Sequence, residues 1–168
     1  MDPQDAHPAE SRPPTLADLL LLCRSLNAQG ARYLVIGGFA VNQHGFTRAT
    51  MDIDLLVDGA RENQVKVKKS REVLPDKAVR ELGDSDLQDY VVVRVADEVV
   101  VDLMTTACGV TYGEAARDAE IVTIDDVRIP FASASTLLRT KQTHRDKDEI
   151  DRLYLQRLLA ERERPGDE

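Results

Sequence analysis

The chain has 168 residues, of which 42% are hydrophobic and 31% charged, and its formal net charge at pH 7 is −8. This size predicts one domain with a helical tail, and the acidic balance argues against non-specific binding to nucleic acid, which requires a cationic surface. The longest apolar run is too short to span a bilayer, no export signal is recognisable, and Cys23 and Cys108 provide no disulfide framework, so we expect a cytoplasmic protein.

The N-terminal part of the chain divides into an arm and the start of a folded domain. Residues 1–14 contain four prolines and no periodicity, which predicts a disordered arm before a single domain over 15–168. The segment Thr15–Asp18 resembles a capping box and opens a leucine-rich helix that runs to Asn27. Gly30 is the expected stop signal of this helix.

A strand, a glycine pair and a second strand follow. Arg32–Ile36 has the composition of a buried strand, Gly37 and Gly38 follow it directly, and a short helix is predicted over Phe39–His44. Glycines at such a turn commonly supply positive φ, and the backbone amides that open the helix can also bind phosphate. No P-loop or dinucleotide-binding motif is present. The next strand is predicted over Asp52–Val57.

The rest of the chain alternates between helices and strand pairs. We expect helices at Ala60–Leu74, Asp76–Leu82, 113–118, 134–141 (capped by Ser133) and Asp146–Arg164, and strands at Tyr90–Val95, Val99–Met104, Glu120–Ile124 and Val127–Pro130. The four strands form two predicted hairpins. The mixture predicts an α+β fold in which a mixed β-sheet is flanked by helices and followed by a C-terminal amphipathic helix.

Three aspartates stand in strands that are otherwise apolar. Asp52 and Asp54 are spaced i, i+2, so they face the same side of their strand, and Asp102 is the sole charge in Val99–Met104. If the strands are neighbours, the carboxylates form a cluster that repels itself unless cations are present, which predicts bound Mg²⁺. The alternative is a salt bridge from Asp102 to Arg94 across the hairpin.

Taken together, these motifs resemble the DNA polymerase β-type nucleotidyltransferase superfamily. The matching pattern is Gly37-Gly38, thirteen intervening residues, Asp52-Ile-Asp54-Leu, and then Asp102 in Val-Val-Asp-Leu. Two further segments are similar to a small prokaryotic branch of that superfamily, the abortive-infection-type nucleotidyltransferases. These are the His-Gly and Arg-x-Thr motifs of 44–52, and Lys141 followed by Arg-x-Lys-Asp-x-x-Asp over 145–151.

The resemblance implies roles for particular residues. In that family the glycines and the first two carboxylates hold a nucleoside triphosphate and two Mg²⁺ ions, while the third carboxylate binds metal and helps to activate an acceptor hydroxyl. The implied metal ligands are Asp52, Asp54 and Asp102, the implied nucleotide-binding residues are Gly37, Gly38, Arg48 and Lys141, and Lys141 and Asp148 join the three aspartates as implied catalytic residues. For Arg48 the alternative is an ion pair with an aspartate of the cluster, and His44 is assigned no role.

The sequence therefore predicts a metal-dependent nucleotidyltransferase that moves an NMP from an NTP to an acceptor. Within the family the acceptors include tRNA, proteins and small molecules, and the sequence does not choose among them. The alternative is a non-catalytic nucleotide-binding regulator of the same fold, such as an antitoxin-like subunit. A protein partner or a homodimer is also possible, because the apolar stripe of the last helix could pack on the sheet or on a second subunit; it consists of Ile150, Leu153, Tyr154, Leu158 and Leu159.

Two groups of charged residues have open interpretations. Lys141, Arg145, Asp148 and Arg152 would share one helical stripe if the helix were continuous, although the resemblance implies a turn near Thr143. A basic run lies between residues 61 and 71 and is either a solvated helix face, which we favour, or a docking site for a phosphate-rich partner. It consists of Arg61, Lys66, Lys68, Lys69 and Arg71.

Overall fold

The computed structural model describes residues 12–71, 92–96 and 99–163, with the backbone alone described for 92–96. Most of the predicted N-terminal arm and the predicted helix Asp76–Leu82 lie outside these residues. The described helices are α1 (Leu16–Ala28), α2 (Gly37–Gln43), α3 (Arg61–Ser70), α4 (Tyr112–Ala115, continued by a 3₁₀ turn over Ala116–Asp118), α5 (Ala134–Thr140) and α6 (Asp146–Arg162). The strands are β1 (Tyr33–Ile36), β2 (Ile53–Val57), β3 (Val92–Ala96), β4 (Val100–Met104), β5 (Thr106–Ala107), β6 (Val110–Thr111), β7 (Glu120–Ile124) and β8 (Val127–Phe131).

The strands form a mixed six-stranded sheet in the order β3-β4-β2-β1-β8-β7, and β5 and β6 form a separate two-stranded ribbon. Strand β2 runs parallel to β4, and β1 runs parallel to β8, while the other neighbours are antiparallel. Both predicted hairpins, β3–β4 and β7–β8, are confirmed. The predicted α+β architecture with a mixed sheet and a C-terminal helix is therefore correct.

Strand register brings the acidic strands together. Asp54 of β2 lies opposite Asp102 of β4, and on its other side it lies opposite Ile36, the last residue of β1. Ile53 and Leu55 alternate with Asp54 and have no exposed surface, because they point into the core. The apolar side chains thus anchor β2 and leave its carboxylates at the opposite face.

Local signals at the start of the chain are confirmed. The Thr15 hydroxyl accepts a hydrogen bond from the amide of Asp18, and the Asp18 carboxylate accepts one from the amide of Thr15 at 2.7 Å, so the capping box is complete. Helix α1 packs Leu19, Leu22 and Cys23 into the core with no more than 1% exposure. Burial raises the pKa of the Cys23 thiol to about 12, as expected for an inert core cysteine.

Helix α6 begins where the sequence predicts, and it packs Tyr154, Leu158 and Leu159 of the predicted apolar stripe against the core. Its buried residues are Asp148, Asp151 and Leu155, whereas Ile150 and Leu153 of the predicted apolar stripe are 53% and 58% exposed. Helix α5 ends at Thr140, so α5 and α6 are separated by a turn, as the resemblance implied. A helix that buries two carboxylates requires cationic partners on the surface that it covers.

The predicted basic run is not uniform. Arg61 and Lys69 are exposed on α3, in agreement with a solvated helix face. Arg71 follows the helix and is fully buried, so its inclusion in that solvated face was wrong. Among the described residues, no helix combines the length and apolar character needed to cross a membrane.

Candidate active site

An acidic cluster, defined here as Asp52, Asp54 and Asp102, lies at one face of the central strands. Asp52 directly precedes β2, Asp54 belongs to β2, and Asp102 belongs to β4. One carboxylate oxygen of each residue lies within 4.8 Å of the corresponding oxygens of the other two. The two strands are neighbours, which is the condition under which the sequence predicts a cluster, and the three carboxylates converge.

The electrostatics of the acidic cluster favour a bound cation. Burial, followed by the negative charges of Asp52 and Asp102, raises the pKa of Asp54 to about 8. The cluster therefore retains a proton near neutral pH when no cation is present. Three convergent carboxylates are a donor set that fits a hard divalent cation such as Mg²⁺. Strand β3 places Arg94 opposite Asp102 in the backbone register, as the alternative of an Arg94–Asp102 ion pair requires.

The glycine pair is explained by close packing against the acidic cluster. Gly37 has a φ of +69°, and a Cβ added to it would lie 2.0 Å from the Oδ2 atom of Asp54. A Cβ on Gly38 would lie 2.5 Å from the hydroxyl oxygen of Thr50. Both glycines are therefore required for α2 to approach β2 and the loop before it. Helix α2 starts at Gly37, two residues earlier than the sequence predicts.

A second group of charges faces the acidic cluster, and we call Arg48, Lys141, Asp148 and Asp151 the ion-pair cluster. The ammonium nitrogen of Lys141 lies 3.3 Å from Oδ1 of Asp148 and 3.0 Å from Oδ2 of Asp151. Arg48 donates two hydrogen bonds to the Asp151 carboxylate, from Nε at 2.8 Å and from Nη2 at 2.7 Å. Arg48 thus pairs with an aspartate outside the acidic cluster.

Asp148 is held in its ionised form by its neighbours. Burial opposes ionisation, but the Thr143 hydroxyl, the Lys141 ammonium and the Arg145 guanidinium together keep the pKa of Asp148 below its usual range. Its side chain is 1% exposed. Arg145 donates to it from Nε at 3.0 Å. Asp148 and Asp54 are thus neighbouring aspartates whose pKa values are shifted in opposite directions.

The acidic cluster lines one cleft with two lobes together with Arg48, Lys141 and Asp148 of the ion-pair cluster. The first lobe has a volume of about 290 Å³ and contains Gly37 and Asp102, and the second has a volume of about 240 Å³ and contains Gly38 and Arg48. The residues that line both lobes are Asp52, Asp54, Lys141, Arg145 and Lys147. The acidic cluster therefore forms one wall of the cleft, and lysine and arginine side chains form the other together with Asp148.

The sequence assigned no role to Asp151, although it stands in the motif of residues 145–151. The available signal was its spacing from Asp148, because positions i and i+3 lie on one face of a helix. His44, which was also assigned no role, is a packed residue whose side chain is 5% exposed and whose Nε2 lies 2.9 Å from the carbonyl oxygen of Ala132.

A larger cavity of about 640 Å³ lies elsewhere, at the start of β1 and beside the β7–β8 hairpin. Arg32 lines it but is engaged by Asp58, at 2.6 Å, and by Glu62, at 3.0 Å. No group of converging carboxylates lines this larger cavity. Among the described residues, the converging carboxylates thus line the smaller cleft.

Comparisons with known proteins agree with this fold. No family model and no curated protein matches the sequence. The chain is similar to the crystal structure, at 1.87 Å resolution, of a "putative nucleotidyltransferase" from Thermotoga maritima, with a TM-score of 0.52 and 13% sequence identity. The similarity covers 87% of this chain and 90% of the Thermotoga chain. At this identity the comparison establishes the nucleotidyltransferase fold and nothing finer.

Proposed function

We propose that the protein is a metal-dependent nucleotidyltransferase that moves an NMP from an NTP to an acceptor hydroxyl and releases pyrophosphate. The observation that carries this proposal is the cleft in which three converging carboxylates face the side chains of Lys141, Arg145 and Lys147. A metal-bound triphosphate requires this combination of an oxygen-rich metal site and nearby cations. The nucleotidyltransferase fold supports the same class of reaction.

The acidic cluster would hold the metal, and we expect two Mg²⁺ ions. When bound, Mg²⁺ would neutralise the charge of the triphosphate and lower the proton affinity of the acceptor hydroxyl. Asp52 and Asp54 line both lobes, so they would serve the donor nucleotide, whereas Asp102 lines the first lobe alone and would draw the proton from the acceptor. The hydroxyl oxygen would bond to the α-phosphorus as the bond to the pyrophosphate oxygen breaks.

The cationic wall would bind and orient the triphosphate. Lys141 would use the N–H that its two aspartate partners leave available, and Asp148 would hold it in place. Gly37 and Gly38 would let the first amides of α2 approach the phosphates without interference from a side chain. Arg48 lines the second lobe, but its Nε, Nη1 and Nη2 already donate to Asp151 and to the Ala49 carbonyl, so we expect it to contribute less than Lys141.

A labelling experiment tests the reaction and identifies the acceptor, which we propose to be a tRNA, a protein or a small molecule of the cytoplasm. The purified protein is incubated with Mg²⁺, a cell lysate and each α-labelled NTP in turn, beside the Asp52→Ala/Asp54→Ala variant. The matched control is Glu161→Ala/Glu163→Ala, which removes the same charge from an exposed part of the chain.

Labelling by the wild type and the control, but not by the cleft variant, is the expected result. Mg²⁺-dependent nucleotide binding without transfer of label would instead support a non-catalytic regulator. Absence of nucleotide binding would contradict both functions.

A further inference from the structure

Asp151 joins the two walls of the cleft without lining either lobe. Its side chain has no exposed surface, and among the described residues it accepts two hydrogen bonds from Arg48 and forms an ion pair with Lys141. It does not belong to the residues that line the two lobes. A buried carboxylate with two cationic partners and no access to the cleft can act on a substrate only through those partners.

The first partner connects Asp151 to the loop that carries Asp52. The amide of Arg48 donates to the side-chain oxygen of Asn42 at 3.1 Å, and Nη1 of Arg48 donates to the carbonyl oxygen of Ala49 at 3.0 Å. The Arg48 guanidinium also donates two hydrogen bonds to the carboxylate of Asp151, which lies 103 residues later in the chain, on α6. This bidentate pair connects the loop before β2 to the C-terminal helix with a defined geometry.

The second partner connects Asp151 to the cationic wall. Lys141 follows α5, and its ammonium group donates a hydrogen bond to Asp148 and forms an ion pair with Asp151. The side chain is 7% exposed and lines both lobes. Its position opposite the acidic cluster is therefore set by the two carboxylates of α6.

We propose that Asp151 is a positioning residue that fixes the distance between the acidic cluster and the phosphate-binding cations. This inference rests on the proposed function, because the distance matters only if a metal and a phosphate chain bind together. Asp54 and Asp102 are held by the sheet, so the metal site itself depends little on Asp151. Joint binding of metal and triphosphate depends on it strongly.

The test uses the full-length protein, Mn²⁺ as the metal, and tripolyphosphate as a probe that carries no base. Calorimetry measures the affinity for Mn²⁺ alone and for Mn²⁺–tripolyphosphate in the wild type, Asp151→Asn, Arg48→Lys and the double variant. We expect each single variant to bind Mn²⁺–tripolyphosphate about tenfold more weakly, a loss typical of residues that orient metal-site groups. Affinity for Mn²⁺ alone should change by no more than about twofold, and the double variant should lose no more than either single variant, because the two residues act as a unit.

A remote ion pair provides the matched control. Arg32 and Asp58 are joined at 2.6 Å far from the cleft, so Arg32→Lys should alter the melting temperature and leave both affinities unchanged. Arg48→Lys keeps the positive charge and leaves the ion pair between Asp151 and Lys141 intact. If Asp151→Asn does not fold, the affinities of Arg48→Lys therefore test the proposal.

The outcomes separate this inference from the proposed function. Additive losses in the double variant, an equal loss of affinity for Mn²⁺ alone, or unchanged affinities would each overturn the positioning role while leaving the nucleotidyltransferase proposal intact. If the wild type binds no Mn²⁺, the proposed function fails first, and the inference fails with it.

Discussion

The two walls of the cleft contain aspartates in opposite electrostatic situations. In the acidic cluster, burial and two like charges raise the pKa of Asp54 to about 8. In the ion-pair cluster, hydrogen bonds and two cations outweigh burial and lower the pKa of Asp148. The same residue type is therefore costly to ionise in one wall and stabilised as an anion in the other.

This difference distinguishes the acidic cluster, which can bind an ion, from the ion-pair cluster, which holds the neighbouring side chains in place. A cluster of like charges gains stability when a cation arrives, so it is suited to holding metal. A cluster with compensated charges gains nothing from a further ion, and its contribution is a fixed geometry. Removing a carboxylate should accordingly have opposite effects on stability in the two walls.

The largest effect is expected from removing a charge in the acidic cluster. Asp54→Asn should lower the rate of NMP transfer about a thousandfold or more, because it removes a metal ligand. The metal-free variant should nevertheless melt at a higher temperature than the metal-free wild type at pH 8, since it relieves repulsion from Asp52 and Asp102. Label transfer and thermal melting in EDTA measure the two effects. A variant that melts at a lower temperature would contradict the comparison.

In the ion-pair cluster the same substitution should destabilise the fold. Asp148→Asn removes a buried partner of Lys141 and Arg145, and we expect the free energy of unfolding to fall by about 3 kcal/mol. Asp146→Asn is the matched control, because Asp146 is exposed two residues earlier in α6 and its substitution should cost less than about 0.5 kcal/mol. Denaturant unfolding measures both variants, and equal losses would show that Asp148 is not specially engaged.

The glycines provide a smaller test of how tightly the acidic cluster is packed. Gly37 and Gly30 have φ angles of +69° and +68°, but only Gly37 would place a Cβ against Asp54, whereas Gly30 has nothing within 4 Å. Gly30→Ala should cost about 1 kcal/mol from its backbone conformation. Gly37→Ala should cost about 2 kcal/mol or more and should also weaken Mn²⁺ binding measured by calorimetry. If Gly37→Ala retains wild-type affinity for Mn²⁺, the approach of α2 to Asp54 does not matter for the site.

The pH profile of the stability of metal-free protein gives a further test of the same comparison. The pKa of Asp54 is raised from 3.8 to about 8, so the folded state holds an extra proton between these values and stability should fall as pH rises from about 4 to 8. The pKa of Asp148 is lowered from 3.8, so its contribution is present above about pH 4 and is lost as pH falls further. For each of these two groups, the free energy of unfolding can change by at most about 1.4 kcal/mol per pH unit.

Denaturant unfolding in EDTA across this range measures these slopes. Asp54→Asn should remove the first, and Asp148→Asn the second. If Asp54→Asn keeps the fall in stability between pH 4 and 8, the raised pKa does not belong to Asp54.

Much of the fold and part of the site could be predicted because their signals are local. The Thr15–Asp18 capping box is encoded within one helical turn, and the shared face of Asp52 and Asp54 follows from the two-residue repeat of a strand. Asp102 was predicted to join them because a lone charge in an apolar strand requires a compensating environment. Each of these inferences required only the neighbouring sequence.

Only the tertiary structure determined which charges meet. The pairing of Arg48 with Asp151 spans 103 residues, and no local repeat indicates it. The burial of Arg71 and of Asp151 was likewise not predicted, because hydrophobicity alone would place these side chains in water. The sequence thus determined where the carboxylates of the acidic cluster stand. The fold determined the partners of the ion-pair cluster, since the free energy of a buried charge depends on residues that are distant in the chain and adjacent in space.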